Sequence, residues 1–312
     1  QENLDNQREV VKNERRQRYD NVPYGRWAEI LLALAYPEGH PYHHSTIGSM
    51  AELDGAEQSD FTAFYESYYS PDNAVLTVVG DADEAHVRTL AEEYFGGLGA
   101  RPRPEPPKVS ALPAVIDGPV YQVVEEDVPL PRFFFGFRAT RFGEPAAAAE
   151  EMLAVVLGRG RGARLFAELV TRRELAQAEG SYLASWQLAW HESLLSGMVT
   201  PRPGVDPAEL HAAYFEVCEQ AAVDAPTEAE LDRARSMLEA DWARELSSVG
   251  SRADQLSRHA VLFGDAERVR DRLPELLAVS AEDVRAAAER IFTPGNRVTL
   301  EYRPVSVESE GN

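Results

Sequence analysis

The chain is short of several things, and each shortage removes a class of function. It has one cysteine in 312 residues, Cys218, set in the apolar stretch AAYFEVCEQAAV, so an internal disulfide is impossible and the thiol reads as buried filling. No run of about 18 apolar residues occurs, which excludes a helical membrane span in this chain. Basic residues are scarce: 31 Lys and Arg stand against 52 Asp and Glu, a formal charge of −21. That balance repels phosphate backbones and anionic lipid, so nucleic acid is not an expected partner. It is compatible with a solubility adaptation or with a preference for basic substrates. No Ser-His-Asp spacing or nucleophile elbow is present. A hydrophobic content of 44% is enough for two domains of ordinary size, each with its own core.

What the chain does contain is a repeat. DFTAFYESYYSPDNAVLTV at 60–78 returns in outline as DVRAAAERIFTPGNRVTLE at 283–301, every matched position displaced by 223 residues. Asp60 pairs with Asp283, Tyr69 with Phe292, Pro71 with Pro294, Asn73 with Asn296 and Val75 with Val298. A constant offset without gaps marks a tandem duplication. A weaker match, at an offset of 227, sets Leu4, Asp5, Arg8 and Val11 against Leu231, Asp232, Arg235 and Leu238. A second copy that begins near Gly118 has a first-copy counterpart lying before Gln1. The chain opens on Gln1 rather than Met, directly into helix-like sequence. The expectation is therefore a fragment: 1–104 as the C-terminal half of a first unit, 105–118 as a proline-rich linker, and 119–312 as a complete second unit.

Along the chain, periodicity predicts helices over 3–19, 25–35, 59–69 and 84–95, the last capped by Asp83, with a loop at 36–49 and a strand at 74–79. Residues 101–117, with Pro102, Pro104, Pro106, Pro107 and Pro113, read as an extended linker. The second copy is predicted as strands at 120–126, 132–139, 181–189, 194–200 and 297–302, with helices at 145–157, 163–175, 206–223, 227–246, 252–262 and 280–292. Strands cluster and then helices cluster. That order favours an α+β fold, two homologous units of helices packed on a mainly antiparallel sheet, over a doubly wound parallel one.

Three motifs attract functional readings. Gly158, Gly160 and Gly162 suggest a phosphate loop, but they follow a helix and no Lys-Ser/Thr pair closes them, so a glycine-rich turn between helices is the better reading. His40, His43 and His44 sit together in GHPYHHSTIG; a loop with Pro41 cannot present them as a helical i, i+4 pair, and they read as structural loop histidines. The other four, His86, His191, His211 and His259, are isolated. Glu14, in REVVKNERRQR, reads on its own as a solvated helix charge.

Taken together, NLDNQREVVKNERRQR, then GHPY, IGS, FYESYYSPDNA and VVGD in order, then LGRGRGARLFAELVTRRELAQ, resemble successive signatures of the M16 zinc peptidases, the pitrilysin, insulinase and mitochondrial processing peptidase family. The resemblance covers nearly the whole chain. It implies homologous α+β units (a LuxS/MPP-like metallohydrolase fold) enclosing a peptide chamber, with Zn held by two histidines of an H-x-x-E-H helix and a later glutamate. Glu14 matches that third ligand in the pattern R-x-V-V-x-x-E, while the H-x-x-E-H segment is expected before Gln1, so no catalytic residue is expected in this chain. An acid seven residues before that ligand in some members is Gln7 here. Members whose second unit assists catalysis carry an Arg and a Tyr where this chain has Val170 and Gln177; Arg172, Arg173 and Tyr182 lie nearby in another frame. The resemblance therefore implies a zinc endopeptidase in the intact protein, this chain alone being inactive, working on peptide substrates with a homologous M16 subunit or half that supplies the Arg/Tyr pair. The alternative it leaves is a non-catalytic M16-like subunit that binds peptides or scaffolds a partner. A cytoplasmic location is expected.

Overall fold

A computed structural model describes residues 2–99, 101, 105, 108–109, 112, 116, 118–178, 182–188 and 190–305. In chain order the helices are α1 (Glu2–Arg15), α2 (Trp27–Ala35), α3 (Met50–Gly55), α4 (Gln58–Tyr68), α5 (Glu84–Phe95), α6 (Pro145–Gly158), α7 (Pro207–Gln220), α8 (Glu228–Ser247), α9 (Val249–Phe263), α10 (Arg272–Leu277) and α11 (Ala281–Ile291). The strands are β1 (Val120–Glu126), β2 (Arg132–Ala139), β3 (Tyr182–Trp186), β4 (Ser193–Val199) and β5 (Val298–Pro304). The prolines assigned to the linker lie outside the described residues.

The chain forms two compact units, each discontinuous in sequence. One comprises Gln1–Lys12, Gly48–Val109 and Leu238–Pro274; the other comprises Asn13–Ile47, Ser110–Met237 and Glu275–Asn312. This division differs from the linear one at 105–118 because α2, which precedes that point, supplies a layer of the second unit's core.

That core is built on one five-stranded sheet of order β1-β5-β2-β4-β3. Only the β1–β5 pair is parallel; β5–β2, β2–β4 and β4–β3 are antiparallel. The sequence of β2, RFFFGFRA, is a continuous apolar run because both faces of the strand are covered. Successive side chains point to opposite faces. Phe134 therefore meets α2, stacking on Trp27 at 4.8 Å, with Tyr24 and Tyr302 packed edge to face at 5.5 Å beside it. Phe135 and Phe137 face the other way, against Tyr214 and Phe215 of α7 and Phe292 beyond α11. Helices thus cover both faces of a mainly antiparallel sheet, the α+β arrangement expected.

The glycine-rich turn is explained by contact. Gly160 has φ of +79°, and a Cβ on Gly158, the last residue of α6, would lie 2.1 Å from the Leu183 backbone nitrogen in β3. The obstacle is main chain on both sides and cannot rotate away. Gly158→Ala is expected to destabilise the second unit by on the order of 3 kcal/mol, the upper range for overpacking. Urea denaturation followed by far-UV circular dichroism measures this, and an unchanged midpoint would contradict the close approach. The helix expected at 163–175 is shorter and wider, a π-helical segment at Phe166–Arg172.

In the first unit, Arg8 of α1 donates to the Leu53 carbonyl at 2.8 Å and to that of Ala56, and Lys12 pairs with Asp54 at 2.5 Å. The tandem repeat is visible in the local structure. Helices α4 and α11 each open with a capping box closed by Asp60 and Asp283, and each ends in a 3-10 turn, Pro71–Asn73 or Pro294–Asn296. Asn73 donates to the Tyr68 carbonyl just as Asn296 donates to that of Ile291. Beyond the turn the copies part. The strand predicted at 74–79 is not formed: those residues carry no ladder, whereas their counterparts form β5 between β1 and β2. Among the described residues no strand is available to pair with them. The helix face shows the same contrast, with Phe64 57% exposed against 1% for Ala287, and Tyr69 64% against 5% for Phe292.

Candidate functional site

Glu14 lies near the end of α1, where the α-helix gives way to a π-turn at Arg16–Asp20. Its carboxylate pairs with Arg18, one turn on, at 3.0 Å, and its side chain is 40% exposed. The adjacent Arg15 is turned to Glu29 at 3.1 Å and Asp20 at 3.4 Å. No group of three metal-ligating side chains among the described residues includes Glu14. It fits zinc as one ligand and no more.

The loop after α2 is more ordered by its own contacts than its composition suggests. His43 bonds through Nδ1 to the Tyr36 carbonyl at 2.7 Å, as a structural loop histidine should, while His44 is exposed. His40 is buried, stacked on Tyr36 at 4.9 Å, and accepts the Tyr42 amide at Nδ1. The fold brings it beside His191 and Glu192, which precede β4; one ligand atom from each lies within 4.8 Å of the others. The sequence reading missed this grouping. Nothing in the spacing of His40 and His191 could have revealed it, since two loops far apart in sequence come into contact only in the folded chain.

The positions that would carry an assisting Arg and Tyr are built into the fold instead. Val170 is buried, and Gln177 donates from its side chain to the Pro201 carbonyl and from its amide to that of Thr200. Arg173 is held by Glu168 at 2.9 Å and Glu216 at 2.6 Å, and Arg172 by Glu168. These groups line an open groove of about 770 Å³ together with Arg164 and Glu230. Arg164 grips Glu230 with both Nε and Nη2, at 2.7 and 3.0 Å. That guanidinium, and the Thr227 amide and hydroxyl, outweigh burial and hold the Glu230 carboxyl down from its usual 4.5 to about 2. A depressed carboxylate stabilises the fold above its unfolded pKa, and the contribution is lost as pH falls from about 4.5 towards 2. Glu230→Gln should therefore lower the melting temperature at pH 6 and the deficit should shrink as pH falls through that window; a deficit independent of pH would rule the ion pair out as its source.

A second cleft, of about 450 Å³, lies beside β1 and is lined by Tyr121, His211, Glu301 and Arg303. The buried Glu301 carboxylate accepts from Arg303 at 2.6 Å and from the Tyr121 hydroxyl. Burial and that carboxylate push the Tyr121 phenol up to about 12. Strand β1 is an edge strand, with β5 on one side and no ladder partner on the other among the described residues.

A single mainly antiparallel sheet covered by helices on both faces, together with a helix-turn segment that occurs twice, defines the fold. The profile described as "Peptidase M16 inactive domain" matches residues 56–238, more than half of the chain, and the chain belongs to that family. Among curated proteins it is 28% identical over 299 residues to the zinc protease PqqE of Helicobacter pylori, covering 96% of this chain and 66% of that protein. The chain thus spans between 55% and 66% of the length of this and other curated relatives. A crystal structure of a protease from Helicobacter pylori superposes with a TM-score of 0.87 at 27% identity, covering 97% of this chain and 72% of that one. The peptidase M16 inactive domain from Pseudomonas fluorescens gives 0.83 at 18% identity over 97% of this chain and 71% of that one, a likeness of fold alone. No helix among the described residues is long and apolar enough to cross a membrane.

Proposed function

We propose that the chain is part of an M16 zinc endopeptidase, with Glu14 as one metal ligand and residues 119–312 as the opposing wall of a peptide chamber. The supporting observation is the unequal repeat. A helix face that is core in copy two stands exposed in copy one, and the residues after it join no ladder among the described residues, which in this reading suits copy one to receive further polypeptide of the same fold. That further polypeptide, in this reading, brings the two histidines and the general base. Bound there, zinc would supply a Lewis acid and an activated water. This chain's own part is to offer the Glu14 carboxylate from a solvent-facing turn of α1 and to hold the peptide. An extended peptide added to the open edge of β1 would be bound through its main chain and so with little sequence preference. The test is Glu14→Gln in the intact protein, read by zinc content and by cleavage of a quenched peptide. Full activity with normal zinc would sink the assignment.

A non-catalytic role beside a catalytic partner is the second reading. Its support is specific: Val170 and Gln177 are committed to packing and to bonds with the Thr200 and Pro201 carbonyls, and the matching family is described as the inactive domain. Intact protein that holds no zinc yet binds peptide would favour it.

A further inference from the structure

We propose that His40, His191 and Glu192 form a binding site for a divalent transition-metal ion, separate from Glu14 and independent of the peptidase reading. The donor set is two imidazoles and a carboxylate, which suits Zn2+ or Co2+ and not the oxygen-seeking Mg2+ or Ca2+. One ligand atom from each residue lies within 4.8 Å of the other two. Ligands about 2.1 Å from a tetrahedral ion sit roughly 3.4 Å apart, so closure needs a shift of about 1 Å or a little more. His191 and Glu192 are only half-buried, which leaves their side chains room to make it.

The strongest indication is His40 itself. The residue is 4% exposed, and its Nε2 is buried with no hydrogen-bond partner among the described residues. A buried polar nitrogen without a partner is costly and uncommon in a folded protein, and here it belongs to the residue that meets His191 ring to ring at 5.2 Å.

The two loops are also fixed relative to each other before any ion arrives. The Tyr42 hydroxyl accepts the amides of Trp190 at 2.7 Å and His191 at 3.2 Å, and the Tyr36 hydroxyl donates to the Glu192 carbonyl at 2.8 Å. Backbone anchors on both sides of the ligands are what a preorganised site requires. One contact opposes binding. Nδ1 of His40 accepts the Tyr42 amide at 3.0 Å, so in the free protein the ring proton is on Nε2. Ligation through Nε2 releases that proton, places one on Nδ1 and gives up the amide bond. The affinity is therefore expected to fall below that of a closed structural zinc site, and three protein ligands leave one position for water or an anionic group.

The test uses the 312-residue chain freed of metal with a chelator and titrated with Co2+, whose visible absorption reports nitrogen and oxygen ligation, followed by displacement with Zn2+. One ion per chain is expected. Glu192→Gln, nearly isosteric and half-exposed, and His191→Ala should each weaken binding at least about tenfold, since even outer-shell changes at metal sites cost that much. His86→Ala, on the exposed face of α5, is the control and should bind as the parent does. Absence of stoichiometric uptake, or equal uptake by the parent and the Glu192→Gln chain with matching circular dichroism, overturns the proposal.

Discussion

Glu14→Gln in the intact protein is expected to reduce zinc-dependent peptide cleavage by at least about 100-fold, since replacing even the partners that orient metal ligands costs about 10–100-fold. The amide keeps the shape of the side chain and loses its charge, so a carboxylate ligand is removed without a cavity. Stability should hardly move. Glu14 sits at the surface and its ion pair with Arg18 is with a residue more exposed than itself, a pairing worth about 0–1 kcal/mol. The diagnostic result is thus activity and zinc lost together at an unchanged melting temperature. Loss of activity with parallel unfolding would instead mark Glu14 as structural.

Asn296→Ala should have the largest effect on stability. Asn296 is fully buried in the 3-10 turn between α11 and β5. Its side-chain amide donates to the carbonyls of Arg138 at 2.9 Å and Ile291 at 3.0 Å, and its oxygen accepts the Arg138 amide at 3.1 Å. Truncation strands three buried backbone groups at about 1–3 kcal/mol each, so a loss of about 4 kcal/mol or more is expected. For a unit of this size that corresponds to a fall of roughly 10 °C in melting temperature. Asn73→Ala, the same position in copy one, should cost less than half as much, because the bond to the Tyr68 carbonyl lies where water can replace it. Equal losses at the two positions would refute the structural inequality of the copies. Calorimetry of the two variants side by side makes the comparison.

Most of the second unit was legible because its signals are local. Five strands and the long helices fall within a few residues of their periodic patterns, and in the first unit Asp83 likewise caps α5 as expected, accepting the His86 amide. The short helices α3 and α10 were not predicted, since six residues hold too little periodicity to register. The strand at 74–79 was predicted from composition and did not form. AVLTVV has the residues of a strand, but a ladder needs a neighbour, and composition cannot show whether one is present. The candidate site divides the same way. Glu14 was singled out by a motif frame within its own helix. His40 was set aside because its local loop offers no helical ligand pair, and only the packing of that loop against the turn before β4 supplied His191 and Glu192.

The sequence alone determined the duplication, the class of fold and the identity of the residues that match a metallopeptidase frame, because each is carried by spacing along one continuous stretch. Only the tertiary structure decided which copy has a complete core, which glycine has no room for a side chain, and which histidine is buried beside another. Those depend on residues far apart in the chain meeting across the sheet, and proximity of that kind has no period.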